Sequence, residues 1–234
     1  ESIIGHGKRH SMVLRAKWGA TKAGKLVAAS NEIIADAGAY MYTTNKVLGN
    51  TTITSTGPYF IPNVKTDVYG VYTNNVPGAA FRGFGAPQAL FMAESQMSKL
   101  AEKLSLDPVE FRRLNALRDG DTLGVGTAVP GPVSILKVID AAAEKFEWKA
   151  QKSANTKKDY LLRGSGFACG FKNVGFSFGY KENCWARIEL RGKSEIEEAT
   201  LWHSSAEVGQ GNHTVMLQMA AEATGVAMEN IELV

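Results

Sequence analysis

At 234 residues, with 44% hydrophobic and 21% charged side chains, the chain can bury a sizeable core and has room for one large or two ordinary domains. A net charge of +3, from 26 basic and 23 acidic residues scattered along the chain, excludes the basic stripe of a nucleic-acid binder. No apolar run reaches the length of a membrane span, and no signal peptide opens the chain. Cys169 and Cys184 are the only cysteines and form no CxxC, so neither a zinc nor an iron–sulfur site is expected. Buried free thiols in a cytoplasmic protein are expected rather than a disulfide.

The chain opens without Met and closes inside Ile231-Glu232-Leu233-Val234, which reads as a strand in progress. Both ends read as those of a segment cut from a longer protein. Residues 11–37 predict a β-hairpin: Met12, Leu14, Ala16 and Trp18 alternate up to a turn at Ala23-Gly24, and Leu26, Ala28 and Ser30 lead into Ile33-Ile34. Gly57 to Asn63 is a turn with aromatic anchors, and Val64 to Thr73 alternates as a further strand.

Gly78-Ala79-Ala80-Phe81-Arg82-Gly83-Phe84-Gly85-Ala86-Pro87-Gln88 is the most informative stretch. Glycines allow positive φ and a close approach of backbone to a ligand. Arg82 offers a planar fork of donors to an oxyanion, and Phe84, between two glycines, can present a ring face to a flat substrate. A plain glycine-rich turn before a helix is the competing reading. A helix over 87–104 follows, with Ala89, Leu90, Ala93, Met97, Leu100, Ala101 and Leu104 at helical spacing. Asp107-Pro108 then caps a second helix to about Leu117.

Residues 119–133 carry four glycines and two prolines up to Pro132 and read as a linker between a first region, 1–118, and a second, 134–234. A helix is expected over 134–146 and an exposed polar connection over 149–159. Strands are expected at 162–171, 182–192 and 196–205, and a last helix over 212–225. No internal repeat and no regular βαβ alternation are visible, which predicts an α+β fold of mixed sheets with flanking helices.

Two more stretches carry chemistry. Val208-Gly209-Gln210-Gly211-Asn212-His213-Thr214 joins a strand to a helix, where free terminal amides favour an anion or a polar ring. Gln210 can donate and accept; Thr214 can bond a phosphate oxygen or cap its helix; His213 is a surface histidine or a ligand. A nucleotide module here would lack the Gly-Lys-Ser/Thr of a P-loop. In Gly175-Phe176-Ser177-Phe178-Gly179, Phe178 is either core or the second wall, with Phe84, of a slot for a planar ring.

With these motifs in order, beside Gly7-Lys8-Arg9-His10 and Gly57-Pro58-Tyr59, the chain resembles the molybdopterin-binding large subunit of the xanthine dehydrogenase and aldehyde oxidase family of molybdenum hydroxylases. The resemblance runs almost end to end. It implies partial domains that bind a molybdenum–molybdopterin cofactor, with or without a nucleotide. Arg82 then lies close to the molybdenum, beside Gly83, and Phe84 and Phe178 sandwich the substrate ring. Val208, Gly209, Gln210, Gly211 and Thr214 meet the cofactor, and Gly179 falls where xanthine enzymes carry a substrate-facing threonine. Asn50 stands where purine-oxidising members place an arginine. Loss of that charge-assisted partner removes roughly 1.5–3 kcal/mol and argues against xanthine itself.

The resemblance implies oxidative hydroxylation of an N-heterocycle or an aldehyde with water as oxygen source. It implies no catalytic residue in this segment, because the family's general-base glutamate, in Gly-x-Gly-Glu, is expected downstream. Electrons pass to [2Fe-2S] and FAD groups on partner subunits or domains; an oligomer is expected, with no nucleic acid and no membrane. A relative acting on an aromatic thioester or carbon monoxide, and a non-catalytic structural fragment, remain the alternatives. The segment alone is expected to be inactive.

Overall fold

The expected hairpin forms between β1 (Met12–Ala20) and β2 (Leu26–Gly38), antiparallel with Trp18 opposite Ala29. A computed structural model describes residues 2–151, 160–161, 164–173, 181 and 183–234. A short helix α1 (Ser2–Gly5) precedes the hairpin. The chain divides into two units, Glu1–Ser177 and Phe178–Val234.

In the first unit β2 is followed by helix α2 (Thr44–Thr54) and strand β3 (Asn63–Tyr72), which lies parallel to β2, giving the order β1-β2-β3. Sequence reading misses α2, because Thr-Asn-Lys-Val-Leu-Gly-Asn-Thr-Thr-Ile-Thr is poor in helix formers. Three of its hydroxyls are satisfied within the helix. Thr51, Thr52 and Thr54 donate to the carbonyls of Val47, Leu48 and Asn50 at 2.9, 2.9 and 2.8 Å. Its buried face lies on β3 and on the next helix.

That helix, α3 (Ala86–Lys103), carries Ala89, Ala93, Met97 and Ala101, all fully buried at four-residue intervals. They meet Trp18, Leu26, Ala29, Tyr59, Ile61 and Phe111 in the main core. Helix α4 (Pro108–Asn115) starts as expected: Asp107 Oδ1 accepts from the amides of Val109 and Glu110 at 2.8 and 3.1 Å. Arg112 of α4, wholly buried, bonds Glu94 of α3 through Nε and Nη2 at 2.8 and 2.6 Å, and the Tyr59 hydroxyl donates to the other Glu94 oxygen.

Residues 119–133 contain no helix or strand, yet the chain beyond them returns to the first unit. Helices α5 (Ile135–Lys145) and α6 (Trp148–Gln151) bring Ile139 and Trp148 against Val109 and Ala116, with Phe167 beside them. The first compact unit therefore runs past residues 119–133 to Ser177. The strand expected over 162–171 is not formed at residues 164–171; glycines at 164, 166 and 170 leave too little side chain for a pleated surface. Most of the polar run 149–159 lies outside the described residues.

The second unit pairs β4 (Ala186–Gly192) antiparallel with β5 (Ile196–His203) and adds helix α7 (Asn212–Thr224) and strand β6 (Ile231–Leu233), parallel to β5. Ala199, Leu201, Ala220, Val226 and Ile231 form its core. Hairpin, helix, parallel strand is also the order of β1-β2-α2-β3. The fold is α+β with mixed sheets, as expected, but each sheet closes with a βαβ crossover and the arrangement occurs twice. The repeat escapes the sequence because α2 is threonine-rich and buries five of its positions, whereas α7 buries only Ala220.

Candidate functional site

The glycine loop is built between three elements. The Gly78 amide donates to Ala37 at the end of β2, and the Ala79 amide to the carbonyl of Lys8. Beyond it Gly83, Phe84 and Gly85 have φ of 92°, 49° and 92°. Phe84 donates its amide to the Phe81 carbonyl at 2.7 Å and Ala86 to Gly83 at 3.0 Å, so successive tight turns deliver the chain into α3. Only glycine serves at 85: an added Cβ would stand 2.5 Å from Thr51 Oγ1 and from the Val47 carbonyl. Left-handed backbone at a phenylalanine costs on the order of 1–3 kcal/mol and persists where surroundings enforce it, often at functional sites.

Here Asn50 enforces it. Its Nδ2 donates to the Phe84 carbonyl at 3.0 Å from the body of α2. Asn50, expected against the substrate, is wholly buried and engages the loop's backbone. Arg82 and Phe81 are exposed, and Phe84 and Gly83 half-buried. Asn50 and Phe84 are thus joined directly, with Arg82 and Gly83 in the same loop.

Two further side chains hold this loop. Arg9 Nη2 donates to the Arg82 carbonyl at 2.5 Å, with its guanidinium 4.6 Å from the Phe81 ring centre. Gln88, in the first turn of α3, donates Nε2 to the His10 carbonyl at 3.1 Å. His10 is buried, with Nε2 at 2.8 Å from Thr44 Oγ1. Burial lowers its pKa below the ordinary 6.5, against the pull of Asp36, so the ring is neutral at pH 7. The signal for Arg9 lay in Gly7-Lys8-Arg9-His10, which carries the resemblance but had no assigned task.

In the second unit the loop 208–211 enters α7 through Gly209 and Gly211, at φ of 91° and 79°. The helix-terminal amides expected to await an anion already have one. Glu207 accepts from the amides of Gly209, Gly211 and His213 at 2.7, 3.1 and 3.2 Å. Those bonds, His213 first, hold its pKa at about 2 against an ordinary 4.5. Gln210 folds back: Oε1 accepts from the Val208 amide at 2.6 Å and Nε2 donates to Ala206 at 2.9 Å.

Thr214, at the third position of α7, is exposed and is not the cap, which is Gly211. His213 sets its ring edge-on to His203 at 5.4 Å. Val208, Gly209, Gln210, Gly211 and Thr214 thus sit together in one exposed loop and first turn. Sequence reasoning missed Glu207, whose signal was an acidic residue two positions before the first glycine. Phe178 and Gly179 lie outside the described residues. A groove of about 790 Å³ runs beside α4 and α5, lined by Glu110, Arg113, Asp140 and Trp148 among others, and neither loop contributes to it.

Residues 1–116 and 141–234 each match the model of a molybdopterin cofactor-binding domain. The chain is similar to the nicotinate dehydrogenase large molybdopterin subunit of Eubacterium barkeri, 42% identical over 145 residues that cover 62% of this chain and 34% of that one. It is also similar to a probable xanthine dehydrogenase subunit of Bacillus subtilis, 32% identical over 234 residues, all of this chain and 31% of that one. The solved aldehyde oxidoreductase of Desulfovibrio gigas overlays with a TM-score of 0.68 at 30% identity, across 97% of this chain and 25% of that one. The chain therefore spans about a third or less of the length of these relatives.

Proposed function

The chain belongs to the molybdopterin-binding subunits of the xanthine dehydrogenase and aldehyde oxidase family, and on that premise we propose that its parent enzyme hydroxylates a planar N-heterocycle. The observation that carries the reading is the Phe81–Gly85 loop. It holds Phe84 left-handed through Asn50, with Arg82 exposed beside it. The 42% identical relative, named as a nicotinate dehydrogenase subunit, supports a flat nitrogen ring over an aldehyde.

The residues present fit the cofactor unevenly. Arg82 brings a planar set of donors suited to anionic oxygens, on a loop whose glycines pack closely against Pro87, Thr51 and Val47. At the second loop the terminal amides are taken by Glu207, so a phosphate at that helix end is disfavoured. Gln210 keeps the second hydrogen of its amide and the second lone pair of its carbonyl for a pterin edge. Gly211 has open space where a side chain would stand. When bound, the molybdenum cofactor supplies the two-electron oxidation, with water as the oxygen source.

This chain's own residues then bind and orient. Arg82 donates to oxygens near the metal, Phe84 stacks on the substrate ring with Phe178 as its partner, and Val208 to Gly211 line the pterin, with Thr214 at the rim. The general base is a glutamate outside this segment. Electrons leave to iron–sulfur and flavin groups on partner subunits or domains. Cys169 and Cys184 are both free thiols, which supports a cytoplasmic setting. No helix among the described residues is long and apolar enough to cross a membrane.

The test is turnover by the full-length enzyme of pyridine carboxylates, purines and aliphatic aldehydes, with molybdenum analysis of the same preparation. Preference for a pyridine or related ring, at about one molybdenum per active site, supports the reading. Preference for aliphatic aldehydes overturns the substrate class, and an enzyme that lacks molybdenum overturns the whole.

A further inference from the structure

We propose that Arg9 is a positioning residue for the glycine loop, fixing where Arg82 and Phe84 present themselves to the substrate. The inference deepens the functional reading of that loop and rests on it. Arg9 leaves the segment between α1 and β1. Lys8 there forms a parallel bridge with Gly78 and accepts the Ala79 amide at 2.8 Å, while the His10 carbonyl takes Gln88 Nε2 at 3.1 Å. Residues 8–10 therefore run along the entry of the loop and tie it to the first turn of α3.

From this rail the Arg9 guanidinium reaches two consecutive loop residues. Nη2 donates to the Arg82 carbonyl at 2.5 Å, and the cation lies over the Phe81 ring at 4.6 Å. Arginines beside a surface ordinarily pair with carboxylates, but Arg9 forms no salt bridge among the described residues. Its Nη1 is buried and has no hydrogen-bond partner among them. Burying part of a cation without a counter-charge is unfavourable, so the position is held by what the side chain does for the loop.

The grip falls where it matters. The Arg82 carbonyl belongs to the peptide that enters Gly83, the first of three left-handed residues. Rotating that peptide would turn the Arg82 side chain and release the strain at Phe84. Asn50 fixes the Phe84 carbonyl from α2; Arg9 fixes the Arg82 carbonyl from the segment before β1. With both carbonyls held, the side chains of Arg82 and Phe84 have a defined direction. A single planar fork can bond a carbonyl and lie on a ring together, which a lysine ammonium does less well.

The test uses the full-length enzyme carrying Arg9→Ala, Arg9→Lys or, should the alanine variant not fold, Phe81→Leu, which removes the ring contact and leaves the guanidinium. Two readouts are taken: hydrogen exchange of peptides spanning 78–89 and 12–38, and the separate values of kcat and KM for the preferred flat substrate. Arg9→Ala is expected to speed exchange over 78–89 alone and to lower kcat and raise KM together, about ten-fold in kcat/KM, while molybdenum content holds. Arg9→Lys should recover part of both losses. Unchanged exchange over 78–89 overturns the role of Arg9. Faster exchange there with unchanged kinetics leaves its hold on the loop intact and overturns the placement of that loop at the substrate.

Discussion

The side-chain amide of Asn50 donates to the main-chain carbonyl of Phe84 at 3.0 Å, joining the middle of a buried helix to the one left-handed phenylalanine of the glycine loop. Because Asn50 is wholly buried, its removal strips a partner from a carbonyl in a confined place. Asn50→Ala is expected to cost about 1–3 kcal/mol of stability and to lower turnover of a flat substrate. Chemical unfolding and steady-state kinetics of the full-length enzyme check both. A variant with native stability and native turnover would mean the loop holds itself.

Gly85 makes a sharper demand on the same loop. Its φ of 92° disfavours any side chain, and a methyl group would meet the Val47 carbonyl, which is backbone and cannot swing aside. Gly85→Ala should therefore destabilise by about 1–3 kcal/mol through backbone strain, before the added clash. Gly166→Ala, where an added Cβ meets nothing within 4 Å, is the control and should leave the unfolding midpoint unmoved. Equal midpoints for the two variants would show that the loop refolds freely around position 85.

The contrast between these positions and their sequence shows what a linear reading can reach. The hairpin, the helix stripe of Ala89, Ala93, Met97 and Ala101, and the Asp107-Pro108 cap follow from local rules of period and capping, and the structure has them in place. Helix α2 does not follow, because its threonines are poor helix formers, and the hydroxyls of Thr51, Thr52 and Thr54 are satisfied by carbonyls one turn back only once the helix exists. The loop residues Arg82, Gly83 and Phe84 were legible from composition, since glycines beside an arginine and a phenylalanine already imply unusual backbone. Their supports were not: Arg9 and Asn50 act on main-chain atoms 73 and 34 positions away. Glu207 hid for a different reason. Free amides at a helix start suggest an external anion unless the intervening turn is known to bring the chain's own carboxylate back.

That carboxylate sets the pH behaviour of the second loop. Backbone amides, that of His213 foremost, hold Glu207 at about 2, below its ordinary 4.5. A depressed acid contributes stability that is present above the unfolded value and is lost as pH falls through the folded one. Hydrogen exchange at residues 208–214 should therefore show the same protection from pH 5 to pH 8, after correction for intrinsic rates, and lose it on acidification from about 4.5 towards 2. Glu207→Gln should lower protection across the whole range. A wild-type loop that loses protection between pH 8 and pH 5 would assign the titration to another group.

Arg112 and Glu94 test the core beneath the loop. The pair has side chains 0% and 10% exposed, and the Tyr59 hydroxyl completes it. Removing one member leaves a charge buried without its partner, so Arg112→Met should cost about 3–5 kcal/mol. Replacing the set by Arg112→Met, Glu94→Leu and Tyr59→Phe together should recover most of that loss, because no group then remains to be neutralised. Urea midpoints of the single and triple variants decide it. A triple variant as unstable as the single one would mean that shape, not charge, makes this site.

Arg82 and Arg15 separate a functional arginine from an ordinary one. Arg15 stands on β1 with its side chain 66% exposed and pairs with Glu32, itself 41% exposed, at 2.5 Å. Such a pair is worth about 0–1 kcal/mol because water screens both charges, so Arg15→Ala should leave turnover and molybdenum content within error of the parent. Arg82 is also exposed, but its main chain is gripped by Arg9 and its neighbours are held left-handed. If it donates to oxygens that gain charge during the reaction, Arg82→Ala should lower kcat by about 10²–10³-fold, the usual loss of one such preorganised donor. Thermal stability should be unchanged, since the side chain is outside the core. Arg82→Lys keeps the charge and loses the fork, and should fall between the two. Equal turnover for Arg82→Ala and Arg15→Ala, with molybdenum retained in both, would remove Arg82 from the site and leave the loop a structural turn.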